Sequence, residues 1–169
     1  MTDSPYDTLN AAKQEIRLAT LLAGSFEDDV QVTLSTSPLS KVLRYEALSY
    51  VWGGPNATRP ITLNGHTFEV TTNLEAAIRH LRFRDQDRVF WIDAISVNQT
   101  DNDERNSQVL LMRDISIHCE RCIAWLREED DNTKETVSFL KFFAQDKHLY
   151  EWDGFLDVKR NVDQLTAEI

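Results

Sequence analysis

Two cysteines, five glycines and four prolines are few for 169 residues. Cys119 and Cys122, in Cys-Glu-Arg-Cys, cannot build a disulfide framework, and with no second CxxC pair they do not make a zinc site. Free thiols in a reducing, cytoplasmic setting are expected. So little glycine and proline excludes collagen-like and low-complexity chains. No apolar stretch exceeds a few residues, against the roughly 20 needed to cross a bilayer, so no membrane partner is expected. The N-terminus, Met1 to Asp7, lacks the basic and apolar blocks of a signal peptide. Basic residues are scarce too: 18 Lys and Arg face 28 Asp and Glu, for a formal charge of −10. That balance argues against a nucleic-acid partner, while leaving room for a small anion held by local arginines. P-loop, GxGxxG, HExxH and GxSxG motifs are missing. His66, His80, His118 and His148 lack ligand spacing, so no metal is expected.

What remains is a pattern of short apolar runs alternating with amphipathic ones. Residues 1–14 are polar and read as a flexible N-terminus. Glu15–Leu22 and Val30–Ser35 alternate as two strands of a hairpin. Tyr45–Trp52 is a short apolar strand that stops at Gly53-Gly54-Pro55. Ile61–Leu63 and His66–Val70 flank Asn64-Gly65, the dipeptide of a two-residue type I′ hairpin. Asn73 is placed as the cap of a helix carrying Leu74, Ala77, Ile78 and Leu81. Arg79, Arg82, Arg84 and Arg88 beyond it read as a solvated face. Val89–Ile95 is a second buried strand, a helix then runs to about Cys119, and Cys122–Leu126 is a third strand. Asn132-Thr133-Lys134-Glu135 resembles the capping box of a last helix, and residues 147–169 form a peripheral segment without a clear period.

Strands that are apolar on both faces and alternate with helices imply an α/β fold, a mostly parallel sheet flanked by helices with added β-hairpins. In such sheets ligands bind beyond the carboxyl ends of the strands. Those ends carry Ser49, Tyr50, Trp52 and Gly53 on the first strand, then Asp93, Asn98 and Gln99 on the second. The following helix starts with Asp101, Asp103, Glu104 and Arg105, and Gln108 lies one turn on. Tyr50 and Trp52 offer a surface for a planar ring. Asp93 closes an apolar strand, where a carboxylate needs hydrogen bonds, expected from the 96–99 loop or Arg105. Arg105 is suited to a phosphate.

The blocks Tyr45-Glu46-Ala47-Leu48-Ser49-Tyr50-Val51-Trp52-Gly53, Trp91-Ile92-Asp93-Ala94-Ile95-Ser96-Val97-Asn98-Gln99, Glu104-Arg105-Asn106-Ser107-Gln108-Val109 and Trp125-Leu126 resemble, in order, those of the fungal heterokaryon-incompatibility domain. Ser96 stands where the family usually has Cys, and Arg127 where it has Gly. The resemblance, over about residues 15–130, implies a domain that triggers cell death when incompatible fungal individuals fuse, and that domain is expected to span 15–146. It also implies a flavodoxin-like order remotely similar to Toll/interleukin-1-receptor (TIR) domains, some of which cleave NAD using a glutamate. On that basis NAD is the expected substrate rather than a cofactor. Glu104 and Asp93 are the expected catalytic carboxylates, with Glu128, Glu129 and Glu135 as alternatives to Glu104. Ser49, Tyr50, Trp52, Gly53, Asn98, Arg105 and Gln108 are the expected binding residues. The competing expectation is a non-enzymatic module that self-associates. Either way, regulatory domains in a longer parent protein are expected partners.

Overall fold

The alternation at the start of the chain produces the expected antiparallel pair. Strand β1 (Glu15–Leu21) lies beside β2 (Gln31–Pro38), in register from Glu15 opposite Pro38 to Leu21 opposite Val32. The computed structural model describes residues 4–52 and 56–125, all within a unit that spans Met1–Arg127. Gly53, Leu126, Glu128, Glu129, Glu135, the helix expected after residue 132 and the 147–169 segment lie outside the described residues.

Strand β3 (Glu46–Tyr50) precedes the hairpin of β4 (Thr58–Leu63) and β5 (His66–Thr71). Asn64 and Gly65 join that hairpin with φ of 50° and 82°. Both central residues are left-handed, as a type I′ turn demands. Helix α1 (Thr72–Leu81) follows, then β6 (Arg88–Trp91), the single turn α2 (Asp93–Ser96), α3 (Asn102–His118) and β7 (Arg121–Trp125). The strands form one sheet in the order β5-β4-β2-β1-β6-β3-β7.

The sheet is mixed, not mostly parallel. Pairs β2–β4, β3–β6 and β3–β7 are parallel, whereas β1–β2, β1–β6 and β4–β5 are antiparallel. The reason lies in β1, where Ile16, Arg17, Leu18, Ala19 and Leu21 are all buried. A strand covered on both faces belongs inside a sheet, so the N-terminal hairpin inserts beside β6 instead of decorating an edge. The parallel strands β6, β3 and β7, expected at the centre, therefore sit together at one end among the described residues.

Successive residues of the inner strands enter different cores, as the two-residue period of a strand requires. Ala19, Leu21, Leu48 and Phe90 join Leu74, Ala77 and Ile78 of α1. Leu18 and Trp91 join Tyr45, Leu111 and Ile115, the last two from α3. Helices thus cover both faces.

Three local expectations change. The α1 cap is Thr71, whose hydroxyl accepts from Leu74 N. Asn73 instead donates to Val51 O at 2.5 Å and accepts from the Trp125 indole at 3.1 Å, tying the exits of β3 and β7 to the helix. The arginines near the α1 end are largely spent on the protein itself. Arg82 donates to the carbonyls of Ser25, Asp28 and Asp29, and Arg79 to those of Phe26 and Asp28. Arg88 is buried and pairs with Glu46, which also pairs with Arg121. The N-terminal stretch is fastened from Pro5 onward: Asn64 holds Pro5 O, and Tyr6 packs edge-on against Phe68.

Candidate active site

Strand β6 ends at Trp91, and the chain turns at once into α2, so Asp93 is the first residue of a helical turn rather than the last of a strand. Its neighbour β3 runs parallel to β6 and ends at Tyr50, two residues before Trp52. The two exits lie side by side and open into a cleft of about 190 Å³. Trp52, Trp91 and Asp93 line it from the strand ends, Val97 and Gln99 from the loop after α2, and Arg105, Gln108, Val109 and Met112 from α3. The volume is below the roughly 300–1,000 Å³ of sites that enclose drug-sized molecules. It suits one ring-sized group.

Asp93 is the carboxylate of this cleft. One oxygen accepts from Ala94 N at 2.7 Å, and the nearby Trp52 indole also favours the ionised form. Burial outweighs both and raises the pKa of Asp93 above its ordinary value. Neither the 96–99 loop nor Arg105 bonds the carboxylate, contrary to expectation. Gln99 Nε2 donates at 2.9 Å to the backbone carbonyl of Asp93, and Arg105 bonds Asn102 Oδ1 at 3.3 Å. Trp52, about half exposed, stacks on Tyr50 with ring centroids 6.2 Å apart and planes 4° from parallel. Tyr50 itself packs against the core under α1. Burial, then the nearby Asp93 carboxylate, push its phenol up.

Glu104 is placed differently from its expectation. It is absent from the cleft lining, and its carboxylate grips Arg17 with both oxygens, at 2.5 and 2.9 Å. The same group accepts from Asn98 N at 2.7 Å. The two side chains are 2% and 8% exposed, so this is a buried ion pair. Arg17 further donates to the carbonyls of Ser96 and Asp7 and lies 5.0 Å from the Tyr6 ring centroid. The cluster fixes the 96–104 loop that forms one wall of the cleft. Asn98 serves that loop too, accepting from the Thr100 hydroxyl at 2.8 Å, and Asp101 caps α3 through Asp103 N and Glu104 N.

Of the expected binding residues, the structure thus gathers Trp52, Arg105 and Gln108 around Asp93. Tyr50 stands behind Trp52, Asn98 is a loop brace, and Ser49 is an exposed residue of β3 outside the lining. Sequence reasoning missed Trp91 and Arg17. A signal existed for Trp91, because an indole in an apolar strand needs a partner for its N–H when buried. A larger depression of about 500 Å³ lies at the loop after β1, with Glu27, Asp28, Asp29 and Arg82 in its wall. Leu21 pairs with Arg88 at the start of β6, so that loop lies at the opposite end of β6 from Asp93. Its arginine is already committed to carbonyls. Among the described residues no cluster of His, Cys, Asp and Glu is arranged to hold a metal, and no helix is long and apolar enough to cross a membrane.

The family model described as heterokaryon incompatibility protein (HET) matches residues 45–167. That range holds Trp52, Asp93, Glu104, Arg105 and Gln108. Heterokaryon incompatibility protein 6, OR allele, of Neurospora crassa is 34% identical over 157 residues, covering 83% of this chain and 23% of that protein. The chain therefore spans under a quarter of the length of this curated relative. No solved structure matches. With well over half its length inside the family match, the chain belongs to the heterokaryon incompatibility family.

Proposed function

We propose that this chain is the effector domain of a fungal cell-death protein, and that it hydrolyses NAD at the nicotinamide–ribose bond in the Asp93 cleft. The observation that carries the reading is the Asp93 carboxylate lining one cleft with Trp52 and Trp91 at the exits of adjacent parallel strands, where burial also raises its pKa. The three neighbouring parallel strands β6, β3 and β7 support kinship with TIR-type domains in the part of the sheet that bears the site.

The chemistry asks little of the protein. In NAD the ring nitrogen is cationic, so when the C1′–N bond breaks its electron pair neutralises the ring and nicotinamide leaves without a proton donor. The ribose is left as an oxocarbenium ion. An adjacent carboxylate stabilises that charge electrostatically, and Asp93 fills this role. Water then adds to C1′ and gives up a proton, which a carboxylate of raised pKa accepts well. Trp52 supplies a face for the ring and Arg105 a charge for a phosphate outside the cleft. Glu104 is a positioning residue, acting through Arg17 and Asn98.

The test is direct: concentrated protein is incubated with NAD and free nicotinamide is measured. Release that disappears in Asp93→Asn supports the hydrolase. No release from monomeric or clustered protein favours the second reading, a module that signals by self-association. One observation speaks for that reading: the apolar side chains of Val109, Leu110 and Ile117 on α3, set around Arg113, are 62%, 82% and 59% exposed, and a second copy would cover them.

A further inference from the structure

Gln99 is an exposed residue of the cleft wall, yet its side-chain amide is spent on the protein's own backbone. Nε2 donates to the carbonyl of Asp93 at 2.9 Å and to that of Val97 at 3.3 Å. Two carbonyl partners require the NH₂ end of the amide, which fixes its orientation. These carbonyls belong to the first residue of α2 and to the residue that ends it, so one side chain bridges the turn from end to end.

A single helical turn needs such help. Forming one fixes several residues for very few hydrogen bonds, and α2 runs only over Asp93–Ser96 behind Ile92, which has no side-chain cap to offer. At the far end Arg17 donates to Ser96 O at 3.3 Å. At the near end Asp93 O accepts from Val97 N at 3.2 Å as well as from Gln99. The Asp93 carboxylate has its own bond, from Ala94 N at 2.7 Å, inside the same turn, so the turn carries the carboxylate with it. Gln99 also adjoins Asn98, whose N–H is held by Glu104 at 2.7 Å. It thus joins a wall anchored by the Arg17–Glu104 pair to the backbone of the residue that bears the charge. Resting on the hydrolase reading, we propose that Gln99 is a positioning residue for Asp93. Its amide N–H groups hold the α2 turn, and with it the carboxylate, where positive charge develops on the ribose. Gln99 does this as a donor to backbone and not by touching the substrate.

Two variants test the role. Gln99→Met keeps the length of the side chain and removes its N–H groups; Gln99→Glu keeps its shape and, ionised, only accepts. In the full chain labelled with ¹⁵N, hydrogen exchange of the Ala94 and Val97 amides should quicken at least about 10-fold in both, with the α1 amides unchanged. A misplaced carboxylate loses transition-state stabilisation and leaves ground-state binding intact. For NAD cleavage kcat should therefore fall by about 10- to 100-fold while KM stays the same. Parent-like exchange at Ala94 and Val97 overturns the proposal, and quickening that extends to α1 overturns it as a general loss of stability. Full kcat in Gln99→Glu, or a rise in KM alone, also overturns it, because either marks Gln99 as an acceptor in contact with substrate. The exchange measurement stands apart from the chemistry. If the parent releases no nicotinamide from NAD, the hydrolase reading falls, and exchange alone decides whether Gln99 holds the Asp93 turn.

Discussion

Replacing Glu104 with Gln gives the sharpest test of how the site is built. If Glu104 were a catalytic carboxylate in an open cleft, the variant would fold as well as the parent and lose only activity. The geometry argues otherwise. Glu104 neutralises Arg17 in a pair only 2% and 8% exposed, and it holds Asn98 N as well. Glutamine can keep the Asn98 bond and one contact with Arg17, but it leaves a buried guanidinium without its counter-charge. Breaking one side of such a pair costs about 3–5 kcal/mol. For a domain of this size each kcal/mol lowers the melting temperature by roughly 2–4 °C, so a fall of about 6–20 °C is expected in calorimetry. Arg17→Met, paired with Glu104→Gln in a double-mutant cycle, should show coupling: the double variant is destabilised by less than the sum of the singles. Additive losses, or a Glu104→Gln melt within about 2 °C of the parent, would refute the ion-pair account and return Glu104 to the list of groups free for chemistry.

Other outcomes follow from the same contacts. Asp93→Asn keeps an acceptor for Ala94 N but removes the charge, so NAD cleavage should fall by on the order of 100- to 1,000-fold. Its stability should move the other way. The folded pKa of Asp93 is raised, so its contribution is fully present below the ordinary carboxylate value of about 3.9 and is lost as pH rises through the folded pKa. Melting curves across pH should show Asp93→Asn gaining on the parent above that value, and a gain on the acid side instead would contradict the burial argument. Tyr45→Phe deletes a buried hydroxyl that donates to Ile115 O at 2.7 Å. It should cost about 1 kcal/mol in denaturant titration and leave NAD cleavage unchanged. Gly65→Val forces a β-branched residue to φ of 82° and should destabilise the β4–β5 hairpin by at least about 1 kcal/mol, read from hydrogen exchange of that hairpin.

The elements with a local cause were legible in the sequence. Asn64-Gly65 is a hairpin wherever flanking strands allow it, and Leu74, Ala77 and Ile78 at helical spacing need a core to cover them. The order of strands was not legible, because it depends on which strands lose both faces to solvent. Apolar runs at Tyr45 and Val89 suggested parallel neighbours, correctly for β3 and β6. Nothing local announced that β1 would enter between β2 and β6 and make the sheet mixed. Arg17 carries the same lesson at the level of one residue. An arginine in an alternating strand reads as the exposed side, yet here it is 1% exposed because Glu104 and two carbonyls await it. Their approach is a property of the folded chain.

Both carboxylates were expected to be catalytic, and surroundings separate them. Glu104 meets a guanidinium and a backbone amide, so its charge is compensated and committed to holding a loop. Asp93 meets one amide, one indole and little solvent, so its charge is undercompensated. A substrate that develops positive charge would supply what Asp93 lacks and add nothing that Glu104 needs. Burial that costs the resting protein stability therefore becomes selective attraction for a cationic transition state. The Arg17–Glu104 pair contributes by keeping the wall of that cleft in place while the charge at Asp93 stays unmet.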